Sequence, residues 1–178
     1  VVDGGSTDLT TSIAKIQGLE IIKSPKKSRG YQLKIGASNA RGQWLLFLHA
    51  DSRLNSTWAK STYKIIQNKT SENFAWYFDF KIKKYNIEFR FLELAVALRS
   101  QLLQRPYGDQ GLLIHKDLYN SSGGYSSLKI MEDIELITRI TEKTKLKRIK
   151  ESIYTDGIKW SDTNIIKRAI KNAKLRKK

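Results

Sequence analysis

Three acidic segments stand where an apolar run hands over to a polar helix start: Val1-Val2-Asp3-Gly4-Gly5-Ser6-Thr7-Asp8, Phe47-Leu48-His49-Ala50-Asp51 and Met131-Glu132-Asp133-Ile134-Glu135-Leu136. Open α/β sheets gather their ligands at the carboxyl ends of buried strands, so this placement narrows the fold more than any other feature. Val1-Val2 reads as the end of a strand. A helix follows it, with Ser6 or Thr7 as N-cap and Ile13 and Ile16 facing inward. A short strand over Leu19 to Ile22 precedes a basic loop through Lys26, Lys27 and Arg29, then a helix from about Gly30 to Ala40. The run Trp44 to Leu48, bounded by Arg41-Gly42 and Asp51-Ser52, predicts a buried central strand. A helix from Ser56 to about Gln67 and an aromatic-rich strand from Phe74 to Ile82 come next.

Residues 87 to 104 carry the longest helical pattern. Ile87, Phe91, Leu94, Ala95, Leu98 and Leu102 form one apolar stripe, and Phe89, Leu92 and Val96 add a second. Such a helix is either buried on two sides or set against something greasy. After Pro106, a strand through Leu112, Leu113 and Ile114 leads to a Gly123-Gly124 turn and a helix opening at Glu132. The alternation predicts an α/β fold, a mostly parallel sheet with helices on both faces.

The chain has 178 residues, enough for one domain with a real core. Absence of cysteine excludes a disulfide framework, a thiolate zinc site and a cysteine nucleophile, and it fits a reducing compartment. No uncharged apolar run reaches the roughly 18 residues of a membrane span, and no signal-peptide pattern is visible. The default location is therefore the cytoplasm. Net charge is +16, and residues 143 to 178 hold thirteen Lys or Arg against Glu151, Asp156 and Asp162. An excess of that kind attracts phosphate in nucleic acid, on an anionic membrane or on a substrate, and charge alone does not choose among them.

In the first segment, Gly4-Gly5 lets the backbone turn tightly after Asp3, whose carboxylate can accept from a ligand's base or ribose, while Ser6 opens a helix whose N-terminus faces the crevice. The bland alternative is a capped strand-to-helix turn, with Asp8 supporting it. Glu132 and Asp133 fall in the first turn of a helix, where the dipole keeps carboxylates ionised. The Tyr107-Gly108-Asp109-Gln110-Gly111 loop has glycines on both sides of an Asp-Gln pair, which suggests close approach of backbone to a ligand. A haloacid-dehalogenase phosphatase would need its aspartyl nucleophile at position 49, where His49 cannot serve.

These four segments together resemble the nucleotide-sugar glycosyltransferases of family 2, from Asp3 to about Trp160, and in particular a bacterial subgroup carrying His-Ala-Asp, Tyr-Gly-Asp-Gln-Gly and Met-Glu-Asp-x-Glu-Leu. The resemblance implies a GT-A, Rossmann-like fold and an inverting transferase that moves a hexose from a nucleoside-diphosphate sugar. It implies that Asp3, with Gly4, Gly5 and Ser6, holds the nucleotide. Asp51 is the implied ligand of Mn2+ or Mg2+, and His49 binds the metal, the phosphate or only a neighbouring carbonyl. Asp133 is the implied general base and Glu132 its orienter, Asp109 and Gln110 lie at the donor, and Tyr107 and Trp160 lie at the acceptor. Family members carry a strand-helix unit of on the order of 30 residues ahead of the position of Val1, so a truncated domain over 1–160 is expected.

Residues 161 to 178 are expected to form a basic amphipathic helix, with Ile165, Ile166, Ala169, Ile170 and Ala173 opposite Lys167, Arg168, Lys171 and Lys174. It suits either an anionic membrane surface, and with it a lipid-linked acceptor at the inner face of the membrane, or packing on the sheet. Two alternatives to the enzyme stand beside it. One is a catalytically incompetent fragment. The other is a basic module for anionic membrane or nucleic acid, and nucleic acid is disfavoured because residues 161 to 178 hold no aromatic ring for stacking.

Overall fold

The aromatic-rich run in the middle of the chain is the axis of the fold. In a computed structural model, which describes residues 1–83, 86–128 and 130–155, it forms strand β5 (Ala75–Ile82). Before it in the chain come β1 (Val2–Asp3), α1 (Thr10–Ile16), β2 (Ile22–Lys23), α2 (Arg29–Asn39), β3 (Trp44–Phe47), β4 (Arg53–Leu54) and α3 (Trp58–Ile66). After it come α4 (Ile87–Leu102), β6 (Leu112–His115), α5 (Lys116–Ser121), α6 (Glu132–Thr141) and β7 (Leu146–Thr155). Five strands form one sheet in the order β3-β6-β5-β7-β4, and β1 pairs with β2 in a separate parallel pair.

Helices cover both faces of the larger sheet, because successive residues of its strands point to opposite sides. Leu45 of β3, Ala75 and Tyr77 of β5, and Leu112 and Ile114 of β6 pack with Ala37 of α2, Tyr119 of α5 and Leu136, Ile137 and Ile140 of α6. The alternate positions Trp44, Leu46, Trp76, Phe78 and Leu113 pack on the other face with Trp58 and Ile65 of α3. Phe80 and Ile82, farther along β5, bury Phe89 and Val96 of α4. The α/β architecture is as the sequence pattern predicts.

The pairing differs from a mostly parallel sheet. β5 and β7 run parallel, but β6 is antiparallel to both β3 and β5, and β4 is antiparallel to β7. After α4 the chain re-enters the sheet between β3 and β5, which point the same way, and the four-residue β6 is buried at every position, as a central strand must be. The ten-residue β7 has no counterpart in the sequence reading. Its apolar residues Leu146, Ile149 and Ile153 are interrupted by Lys147, Arg148 and Lys150, so it looks like part of the basic tail. In the fold two of those cations have local partners: Lys147 lies 3.3 Å over the Phe74 ring, and Arg148 pairs with Asp79.

Other expectations shift near the start of the chain. The first helix begins at Thr10 rather than after Ser6 or Thr7, and the Asp8 side chain accepts from Thr10 N at 3.0 Å. Only Ala14 is buried on it, and Ile13 and Ile16 are exposed. β2 starts at Ile22 because the chain closes α1 first, through Gly18 at φ +69° and the Leu19 N to Ala14 O hydrogen bond. On α4 one stripe is buried, and the other, Ile87, Phe91, Leu94, Leu98 and Leu102, faces outward. No described helix is long and apolar enough to cross a membrane.

Candidate active site

Asp3 ends β1 and is 8% exposed. Its carboxylate accepts from Gly5 N at 3.0 Å, from Ser6 N at 3.1 and 3.2 Å, and from the Ser6 hydroxyl. The Ser6 hydroxyl, then the Ser6 and Gly5 amides, hold this carboxyl below the usual carboxylate range. Gly5 takes φ +93°, a conformation glycine adopts without strain. The first acidic segment thus uses its own carboxylate to build the turn.

At the end of β3 the backbone turns through His49 and Asp51, with Ser52 N donating to His49 O at 3.0 Å. Burial, followed by the nearby Arg29 cation, lowers the proton affinity of His49, and Asp51 and Asp133 oppose this only in part. An imidazole held neutral has a lone pair available, as a ligand or acceptor needs.

Asp133 lies in the first turn of α6, and Gly108 N donates to its Oδ2 at 2.7 Å. A Cβ at position 108 would stand 2.8 Å from His49 Nε2 and 3.0 Å from Asp133 Oδ2. The second and third acidic segments and the glycine loop therefore meet at one point, and a side chain at position 108 would displace the His49 and Asp133 side chains. Tyr107, Gly108, His49 and Asp133 line a small cavity of about 20 Å³ at that point. Beside it opens a cavity of about 770 Å³, bounded by Val1, by Val2 of β1, the inner side of α2, the length of β3 and Asp51. The first segment borders the same opening through Val2.

Glu132 is fully buried, pairs through Oε1 with Arg29 Nε, and leaves Oε2 without a partner. Its contact is with Arg29, not with Asp133. Arg29 Nη2 is 3.9 Å from Asp133 Oδ1, so one guanidinium faces both acids. The close approach of α2 to the segment before α6 needs Gly30, where a Cβ would fall 2.3 Å from the Ser126 carbonyl oxygen. Arg29 was not singled out as a site residue from the sequence, although a signal was present: a cation in the first turn of a helix opposes the macrodipole and calls for an acidic partner.

Within the glycine loop the two polar residues differ. Gln110 is 1% exposed; its Oε1 accepts from Ser100 Oγ at 2.7 Å, Arg99 Nη2 at 3.1 Å and Tyr107 N at 3.3 Å, and its Nε2 donates to Phe78 O at 3.2 Å. With every polar atom committed to the protein, Gln110 anchors the loop in place of the donor contact that the resemblance implies. Asp109 keeps one buried oxygen without a partner, and burial, reinforced by Asp133 and Asp51 against Arg99, pushes its carboxyl up to about 6. The Tyr107 ring stacks under the Arg99 guanidinium, 3.5 Å away. Trp160 and the basic segment 161–178 lie outside the described residues.

The α/β scaffold, with an opening beside β3 that Asp51 borders, has the GT-A class of fold, as its likeness to solved structures shows. S. aureus TarS 1-349 in complex with UDP-GlcNAc is 17% identical, with a TM-score of 0.66 over 93% of this chain and 52% of that one. The mannosyltransferase PcManGT from Pyrobaculum calidifontis, in complex with GDP-Man and Mn2+, is 16% identical, with a TM-score of 0.61 over 86% of this chain and 46% of that one. The chain spans about half the length of these structures. A search of curated proteins gave no match. The sequence profile of Glycosyl transferase family 2 matches residues 1–128, and the chain belongs to that family.

Proposed function

We propose that this chain carries the catalytic centre of a divalent-cation-dependent, inverting transferase that moves a hexose from a nucleoside-diphosphate sugar to an acceptor hydroxyl. The observation that carries the reading is the meeting of Asp133, His49 and Gly108 N at the end of β3, beside the large cavity that Asp51 and Arg29 also line. Asp133 accepts the proton of the acceptor hydroxyl. That oxygen bonds to the anomeric carbon, and the bond from this carbon to the β-phosphate oxygen breaks with its electron pair leaving on the nucleoside diphosphate. Gly108 N fixes one oxygen of Asp133, which leaves the other to face the acceptor. The Asp3 turn, with Gly4, Gly5 and Ser6, borders the nucleotide side, Asp109 stands behind Asp133, and Tyr107 faces the acceptor side.

Among the described residues no three His, Asp or Glu side chains group to hold a metal. A hard cation that takes one or two protein ligands and fills its shell with phosphate oxygens and water needs no such group, and Asp51 with His49 suits that demand. Bound there, it would neutralise the charge that builds on the leaving diphosphate. The UDP-GlcNAc and GDP-Man with Mn2+ held by the two similar folds support this reading.

Calorimetry of UDP and GDP with the full chain tests it. Binding is expected with Mn2+ or Mg2+ and is expected to weaken at least 10-fold with chelator, while Asp51→Ala binds weakly in both conditions. Equal affinity of the parent with and without cation sinks the metal assignment.

A further inference from the structure

We propose that Arg29 binds the diphosphate of the donor, an assignment that rests on the transferase reading above. The large cavity is rimmed by Asp51, Glu132 and Asp133 line the small cavity beside it, and a nucleoside diphosphate adds further negative charge. Bringing that anion beside these acids in a partly desolvated site is unfavourable unless a cation faces it. Among the described residues, Arg29 is the only lysine or arginine that lines this cavity.

The geometry suits the task. Nε is committed to the buried Glu132, which anchors the guanidinium plane. Nη2 stands 3.9 Å from Asp133 Oδ1, beyond hydrogen-bond reach, and among the described residues the guanidinium makes no hydrogen bond other than that to Glu132. The side chain is 48% exposed, on the cavity side of the α2 start. One edge of the fork is held and the other is open, the arrangement in which arginine grips a phosphate with little loss of side-chain freedom. Ser28, the N-cap of α2, donates to the Leu128 carbonyl at 3.2 Å and ties this helix start to the chain before α6. Arg29 and the acids therefore keep their spacing as a unit.

A purely structural ion pair would need the charge but not the open edge. Arg29→Lys keeps a cation for Glu132 and removes the second edge. Arg29→Met combined with Glu132→Gln removes the cation without leaving a buried acid unpaired, so folding does not depend on the pair.

The measurement is an NMR titration of each variant with UDP and with uridine, and with GDP and guanosine, in Mg2+ at fixed salt. Both variants should weaken the diphosphate roughly 10-fold or more, the loss typical of one hydrogen bond between charged groups, while nucleoside affinity stays within about 2-fold. Parallel weakening of diphosphate and nucleoside, or an unchanged diphosphate affinity, overturns the assignment and leaves Arg29 as a structural partner of Glu132. A parent chain that binds none of the four ligands defeats the transferase reading itself, and this assignment with it.

Discussion

Asp133→Asn should lower sugar release or transfer from a nucleoside-diphosphate sugar by roughly 100-fold or more, because a positioned general base contributes about 10² to 10⁴. Nucleotide affinity should stay within about 2-fold. The separation is expected from the local geometry: Asp133 Oδ2 accepts from Gly108 N at 2.7 Å, and the amide oxygen of asparagine accepts the same bond. The loop against His49 thus keeps its position while the basic oxygen is lost. Steady-state rates and calorimetric affinities on the same samples check both halves. Turnover at the parent rate removes Asp133 as the base and passes the role to Asp109, since Glu132 is fully buried and paired with Arg29.

Asp109→Asn should change how stability depends on pH. The folded protein holds the Asp109 proton up to about 6, against an ordinary value of 3.8, chiefly because the carboxyl is buried and secondarily because Asp133 and Asp51 are near. Between these values the folded state binds more protons than the unfolded one, so stability falls as pH rises from about 4 to about 6. A shift of about two pH units corresponds to on the order of 3 kcal/mol. Asparagine stays neutral and escapes that loss. Urea unfolding of parent and variant should show the variant gaining on the parent by on the order of 3 kcal/mol across that interval, with no further change at higher pH. A gap that is constant with pH would show that Asp109 ionises normally.

Much of this architecture is written in local pattern. β3, β5, β6, α2, α3, α4 and the start of α6 are legible because their apolar spacing is regular and their ends carry glycine, proline or capping residues. The meeting of His49, Asp133 and Gly108 is a matter of tertiary distance, and what the sequence offers is only that three glycine-rich or acidic segments follow strands. β7 is hidden because its surface cations mask the apolar residues Leu146, Ile149 and Ile153, and the balance between sheet pairing and charge is settled by Phe74, Trp76 and Asp79 on neighbouring segments. The insertion of β6 between β3 and β5 is likewise invisible, since four buried apolar residues have no direction of their own. Gln110 misleads for a related reason: a polar residue between glycines looks like a ligand contact, yet Ser100, Arg99 and Phe78, distant in sequence or on another element, absorb its amide. Arg29 and Glu132 are 103 residues apart, so their pairing is a product of the α2 and α6 approach that Gly30 permits.

The most direct test of the account is a crystal of the chain grown with UDP or GDP and Mn2+, with anomalous data collected at the manganese edge. The account predicts one manganese peak coordinated by the Asp51 carboxylate and two phosphate oxygens, with the nucleotide lying in the cavity between β1 and β3, its base toward the Asp3 turn and its diphosphate against Arg29. Manganese bound away from Asp51, or a nucleotide seated outside that cavity, would contradict it.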